Sequence, residues 1–340
     1  MPDVPRQAVL LLAHGTPETL DQIPEYLRNI TGGRPMPESV VEEIRHRYSL
    51  IGHSPLTELT MEQGNLLARA VGLPVYVGMR NWKPYIAGTV QQMRDDGITS
   101  AVTICLAPQN SRTSVGLYRR ATFAESAGMI EIDFIEGWAD HPELARAFAE
   151  RLQPVWQSVS ARIGHAAPVL FTAHSVPCRT IHGAQAAQGA QAAQAAQTAE
   201  GQSSPDPYPI EAKRTAANVA ALLGPAGLTS TGWFFAFQSQ GMSGGPWIGP
   251  TVEDTLSALR KEGHAAVVIQ PVGFLCDHVE ILYDIDIGFR DFAAKIGLEV
   301  VRPPSLNDSP LLTAALADLA RQGFSRLTLK ASQATPVAVL

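Results

Sequence analysis

The sequence predicts an α/β protein of two doubly wound, parallel-sheet domains with similar topology. Three observations predict it. Short apolar runs alternate with longer amphipathic segments, the pattern of strand–helix–strand units joined by right-handed crossovers. Several runs are apolar throughout, as strands are when helices cover both faces of a sheet. A third pattern occurs twice: an apolar strand, then Ala-His, a small residue, one spacer and proline. It reads LLLAHGTP from Leu10 and VLFTAHSVP from Val169.

The first expected strand, 8–13, is apolar at every position. A helix at 37–48 opens with proline, and a second at 60–71 stops before Gly72. Strand 75–78 leads to helix 84–96, which begins at Pro84 and ends before Gly97. Strand 101–107, helix 115–127 and strand 130–135 follow, and helix 142–160 begins at Pro142. Strand 169–173 opens the second set. After it come helix 209–223, strand 232–237 and helix 252–262, the last behind Thr251, a good capping residue. Strand 265–272, helix 278–294, strand 298–302 and helix 309–322 complete the chain.

This alternation places one domain at 1–160 and a second at 161–325, with the final helix packing back onto the first half and a tail at 326–340. Residues 183–204 (GAQAAQGAQAAQAAQTAEGQSS) form a low-complexity insertion with no apolar face wide enough to dock, expected as a mobile surface segment.

Bulk properties narrow the function. A net charge of −6 argues against nonspecific nucleic-acid binding, which needs clustered Lys and Arg. The three cysteines are widely spaced and form no CxxC pair, so neither a zinc ribbon nor a disulfide framework is expected, and a reducing cytoplasm fits best. Cys105 reads as a small hydrophobe inside a strand. No run of eighteen apolar residues exists to span a bilayer, and the run at 8–13 is too short for a secretory signal. Peripheral membrane contact and oligomeric state stay open.

Chemistry concentrates at two strand ends. His174 follows the strand at 169–173, and Glu280 lies on the helix after strand 265–272. The C-terminal edge of an open α/β sheet is where ligands bind. A neutral imidazole and a carboxylate meeting there can hold a divalent metal or move protons. Taken alone, His174 is equally a satisfied strand-end residue. Asp284 recurs one turn after Glu280, which puts both acids on one helix face. Asp277 reads as an N-cap or first-turn acid, Asp286 as solvent-facing and His278 as a helix-start residue without chemistry. Arg34, Arg45, Arg47 and Tyr48 cluster around the first long helix, where bidentate arginine suits carboxylates or simply a solvated face. Trp247, in a Gly/Pro-rich run, packs on a flat ligand or anchors a cleft-edge loop. No Walker A pattern is present, no GxGxxG follows a strand, and no GxSxG stands as a strand-to-helix elbow.

AHGTP at 13–17, SPL at 54–56, LAP at 106–108, TAHSVP at 172–177, DPYP at 206–209, FQSQG at 237–241, PWIGP at 246–250 and PVGFLCDHVEILYDID at 271–286 together resemble the ferrochelatase family, in family order over nearly the whole chain. The resemblance implies two Rossmann-like domains flanking a porphyrin cleft and insertion of ferrous iron into a free-base tetrapyrrole in heme b biosynthesis. The stretch 26–56 is similar to the coproporphyrin III branch, whose product is coproheme. Protoporphyrin IX, giving protoheme, is the alternative. A cobalt or nickel sirohydrochlorin chelatase and a non-catalytic tetrapyrrole-binding protein are further ones.

The resemblance implies His174 and Glu280 as catalytic residues and metal ligands, with Asp284 as a secondary metal residue. By motif position Arg47, Tyr48, Ser54 and Tyr118 look like porphyrin contacts, and His14 stands where the branch often has Tyr beside the macrocycle. Arg34 and Trp247 are added as porphyrin-binding candidates. No organic cofactor is implied, and ferrous iron is a substrate. The chain departs from the pattern at Thr31, where the branch has a basic residue, at Gly288, where family members often carry another acid, and in the Ala/Gln insertion.

Overall fold

The computed structural model describes residues 6–182, 205–241 and 245–334. The expected low-complexity insertion at 183–204 lies outside the described residues. Among the described residues, eight strands form two sheets: β1 (Gln7–Ala13), β2 (Val75–Met79), β3 (Ser100–Cys105) and β4 (Glu131–Ile135), then β5 (Val169–His174), β6 (Trp233–Gln238), β7 (Ala266–Pro271) and β8 (Glu299–Val301). Their orders are β2-β1-β3-β4 and β6-β5-β7-β8, so the second sheet repeats the first. All pairings are parallel, with Val9 opposite Val75, Leu12 opposite Cys105, Val169 opposite Trp233 and Thr172 opposite Pro271. The Ala-His echo of the sequence is therefore structural, because His14 and His174 end or follow equivalent inner strands. In each sheet the winding reverses beside that strand, between β1 and β3 and between β5 and β7. Such a switch point leaves a crevice outside the strand ends.

β1, β3 and β7 are buried nearly throughout, as their mostly apolar sequences require. One apolar core runs from Leu11 and Val102 through Phe148 and Leu152 to Phe171 and Val268, joining faces of both sheets. Each fully buried Leu or Phe side chain there contributes about 1.5–3 kcal/mol. The helix Pro142–Ile163 packs on β7 and on the helix Tyr208–Leu223 of the second half, and also on the last helix. Trp156, on its inner face, donates an indole hydrogen bond of 2.8 Å to the Ala167 carbonyl.

The last helix, Pro310–Ala334, returns to the first sheet and packs on β3, β4 and the helix Leu56–Val71. It runs past the expected end at 322, so residues 326–334 are helical rather than a tail. Gly323 looks like a stop signal but serves close packing. A Cβ there would sit 2.6 Å from Val102 Cγ1 and 3.0 Å from Asp133 Oδ2. Just beyond, Arg326 forks onto Asp133, with donor–acceptor distances of 3.1 and 2.7 Å.

Two short helices, Ile23–Ile30 and Cys178–His182, carry too few turns to show a period and were not expected. The expected continuous helix at 278–294 is broken. It is an α-turn at Val279–Leu282, a π-helical segment at Asp284–Phe289 and a short α-helix at Arg290–Lys295. The Tyr283 carbonyl accepts from both Ile287 N (3.1 Å) and Gly288 N (2.9 Å), which marks the extra residue.

Candidate active site

A cleft of about 360 Å³ opens where the two switch points face each other. Four strand exits supply much of its wall: Ala13 and His14 at the end of β1, residues between Leu106 and Ser114 after β3, His174 to Pro177 at β5, and Gly273 to Cys276 with His278 to Glu280 after β7. Gly15 permits the turn behind His14. It holds φ +83°, and a Cβ there would lie 2.8 Å from the Trp82 amide nitrogen.

On one wall, His174 Nε2 lies 3.5 Å from Glu280 Oε1, and His278 Nε2 lies 3.8 Å from Glu280 Oε2. The carboxylate thus sits between two imidazoles. His174 Nδ1 bonds the Ser175 carbonyl, and His278 Nδ1 bonds the Cys276 carbonyl at 3.0 Å. With Nδ1 donating to a carbonyl, each ring leaves Nε2 facing Glu280, as a donor to the carboxylate when protonated and as a lone pair open to a guest when not. The Tyr208 hydroxyl donates to the His174 carbonyl (2.9 Å), and Gln238 Nε2 donates to the Glu280 carbonyl (3.0 Å), fixing both backbones. Each of the two side chains is about one-third exposed, 34% and 33%, so both are open to a ligand.

Burial pushes the Glu280 carboxyl up, but the adjacent His174 and His278 rings outweigh it and hold the group well below the usual range. Burial likewise pushes His174 down, and the Glu280 charge and the Ser175 carbonyl reverse this, leaving it raised. Asp284 is pushed up to about 6, by burial first and by the Glu280 charge second.

The opposite wall has the other polarity. His14 is pushed down to about 3, by burial and then by the Arg80 guanidinium, so it is neutral. The Asn81 amide nitrogen lies 3.2 Å from its Nδ1 and 3.1 Å from its Nε2, and Tyr26 stands edge-on at 6.2 Å. Arg80 lies over the Tyr118 ring at 5.2 Å. The Thr16 and Tyr48 hydroxyls share a hydrogen bond of 3.0 Å, and burial pushes the Tyr48 phenol up to about 12.

Of the residues singled out from sequence, His14, Tyr48, Tyr118, His174, Trp247 and Glu280 line the cleft. Arg34 does not. It is exposed in the turn after Ile23–Ile30, where its Nε donates to the Thr31 carbonyl at 3.1 Å. Arg47 lies outside the cleft too. Its guanidinium covers the Tyr283 ring at 5.1 Å, and its Nη1 is 3.8 Å from Asp284 Oδ1. Both line a second pocket that also includes Ser239, whose hydroxyl donates to Asp284. Ser54 is buried (5% exposed) just before the cleft wall, which starts again at Leu56. The acids 280 and 284, expected on one helix face, thus line different pockets.

Three further expectations change. Asp286 is not solvent-facing but forks onto Arg302. Asp277 does not cap a helix; its carboxylate accepts from Ser305 and Asn307. His278, read as having no chemistry, touches Glu280. Arg80, Tyr26 and Tyr208 were missed as site residues. Arg80 follows β2 directly, a strand-end position that would have flagged it, whereas Tyr26 rides on a helix too short to detect.

Among the described residues, no cluster of three or more His, Cys, Asp or Glu is arranged to hold a metal. His174 and Glu280 offer two donors, one neutral and one anionic, and leave most of an iron coordination shell to other ligands.

Comparison with known proteins agrees with this geometry. A family model described as ferrochelatase matches residues 6–324. A ferrochelatase of Acidobacterium capsulatum is 64% identical over 322 residues, covering 95% of this chain and 96% of that protein. A coproporphyrin III ferrochelatase of Geobacillus kaustophilus is 33% identical, covering 92% and 94%. Among solved structures, SirB from Bacillus subtilis with Fe3+ superposes with a TM-score of 0.54 at 13% identity, covering 95% of this chain and 97% of that one. That likeness concerns the fold alone.

Proposed function

The chain belongs to the ferrochelatase family and is a porphyrin metal chelatase of the lyase class, and from that premise we propose that it inserts ferrous iron into coproporphyrin III to give coproheme in heme b biosynthesis. The observation that carries the chemistry is the Glu280 carboxylate, held between two imidazole Nε2 atoms on one wall of a slot. Metallation requires two pyrrole N–H protons to leave as Fe2+ enters. His174 Nε2, its partner nitrogen tied to the Ser175 carbonyl, accepts the two pyrrole protons one after the other, passing the first on before it takes the second. Glu280 stays anionic and faces the incoming cation. Asp284, pushed up to about 6, exchanges protons near neutrality and relays them toward the second pocket. Remote propionate contacts supply the binding energy that bends the ring and exposes its nitrogen lone pairs. No organic cofactor takes part.

Two observations support coproporphyrin III, with its four propionates, over protoporphyrin IX, which has two. The cleft carries hydroxyl groups at Thr16, Ser111, Thr113 and Ser114, with Arg80 just behind the wall and its Nη1 3.5 Å from the Thr113 carbonyl, and several relatives bear the narrower name. Location in a reducing cytoplasm is supported by three free cysteines, two of them buried. Among the described residues no helix is long and apolar enough to cross a membrane.

Anaerobic mixing of the protein with Fe2+ and each porphyrin, followed by absorbance, tests this reading. Coproporphyrin III is expected to give the higher kcat/KM. Faster turnover of protoporphyrin IX overturns the substrate, and turnover of sirohydrochlorin with cobalt alone overturns the reaction. His174→Ala is expected to lose about 10²–10⁴-fold in kcat with folding intact; retained turnover removes its role as proton acceptor.

A further inference from the structure

We propose that Arg302 is a positioning residue for iron insertion: its one guanidinium grips the chain on both sides of the helical turn that carries His278, Glu280 and Asp284, and so sets where those groups point. The proposal rests on the reading of the cleft as the site of iron insertion. Arg302 follows β8 and is 10% exposed. Its Nε and Nη2 donate to the two oxygens of Asp286, at 2.9 and 2.7 Å. Its Nη1 lies 3.3 Å from Asp277 Oδ1 and donates to Ser305 Oγ at 3.2 Å. Asp277 precedes Glu280 and Asp286 follows it, so a single planar cation spans the segment.

The neighbouring residues complete the grip. Ser305 Oγ donates to Asp277 Oδ1 at 2.6 Å, Asn307 Nδ2 donates to Asp277 Oδ2 at 3.0 Å, and Asp277 N donates to Asn307 Oδ1 at 2.9 Å. Asn307 N donates to the Leu275 carbonyl at 2.9 Å. Gln63, from the first half, donates to the Asn307 carbonyl at 2.7 Å. The connection at 302–307 is thus zipped along 275–286 and anchored to the other lobe. None of Asp277, Asp286, Arg302, Ser305 or Asn307 lines the cleft, so any effect on chemistry passes through the turn they hold.

The π-helical segment makes this hold matter. Asp286 lies inside Asp284–Phe289, where the hydrogen-bond ladder carries an extra residue. A π-turn is costlier than an α-turn and persists where its surroundings fix it. Losing that extra residue would rotate one side of the helix against the other by about 100°. Glu280 lies before the segment and Asp284 begins it, so such a rotation would carry Asp284 away from Ser239 and Arg47.

The test compares wild type with Arg302→Met, Arg302→Lys and Asp286→Asn in steady-state iron insertion, with thermal unfolding and porphyrin binding by fluorescence quenching alongside. Arg302→Met and Asp286→Asn are expected to lower kcat at least tenfold and raise KM for Fe2+, with porphyrin affinity within twofold of wild type. Arg302→Lys keeps the charge without the fork and is expected to recover part of the loss. Asp286→Asn is isosteric, so it carries the test even where Arg302→Met fails to fold. A folded Asp286→Asn variant with wild-type kcat and wild-type KM for Fe2+ overturns the proposal, as does a uniform loss of porphyrin binding and turnover. An inactive wild type instead overturns the function assigned to the cleft.

Discussion

Asp284 carries the plainest electrostatic consequence at the scale of single residues. Its side chain is 13% exposed, burial and the Glu280 charge push its carboxyl up to about 6, and Ser239 and Arg47 only partly oppose them. An acid raised above its ordinary 3.8 contributes stability that is complete below that value and is lost as pH rises through about 6. Asp284→Asn, which can still accept from Ser239, is therefore expected to stabilise the fold above pH 6 by roughly 1–3 kcal/mol, with the gain vanishing near pH 4. Urea unfolding across that range measures it; a variant no more stable than wild type at pH 7 would contradict the burial argument. The His174–Glu280 pair behaves differently. Glu280, lowered, contributes above its ordinary 4.5, and His174, raised, contributes below its ordinary 6.5, so both are fully present only between those values. His174 and Glu280 were legible in the sequence because each stands at a strand exit inside a distinctive motif. Arg47, on a helix, and Arg34, in a turn, stand outside the cleft, because a basic residue near a helix reads the same in sequence whether it faces a cleft, a carboxylate or water. His278 was undervalued for a similar reason: a helix-start histidine carries no mark of the carboxylate it will meet.

Elements were legible where a single period governs them. All eight strands appear near their expected places, since an apolar run flanked by turn residues has few alternatives in an α/β chain. The π-segment was not legible, because one extra residue in a turn leaves composition and spacing nearly unchanged. The last helix was cut short at 322 by Gly323, whose cause lies on another element. Replacing a helical glycine with alanine ordinarily gains about 1 kcal/mol. Here the new methyl would press on Val102, so Gly323→Ala is expected to destabilise the protein by about 1–3 kcal/mol. Adding Val102→Ala should restore part of the loss in calorimetry. A stabilised single variant would show that the helix does not press on β3 as described.

At the scale of the molecule, the two halves are joined by more than the shared core. Asp206, 2% exposed, accepts the amide of Arg112 from the first half at 2.9 Å and its own neighbour Tyr208 at 3.0 Å. Glu211 accepts the Asn110 amide at 2.6 Å, and Gln109 donates to Thr215 and to the Val272 carbonyl. These bonds fix the 109–114 wall of the cleft against the second lobe. Asp206→Ala strands two amides and is expected to cost about 2–5 kcal/mol, read as a lower denaturant midpoint; an unchanged midpoint would mean that water replaces the carboxylate. The repeated sheet order was foreshadowed by the Ala-His echo, but these contacts between lobes were not, because they join residues 94 to 163 positions apart. That echo has one last consequence. Two histidines in matching places were given opposite surroundings, one beside a guanidinium and one beside a carboxylate. The slot therefore carries a standing voltage across its width, and a doubly positive visitor is drawn to one side of any flat guest and turned back from the other.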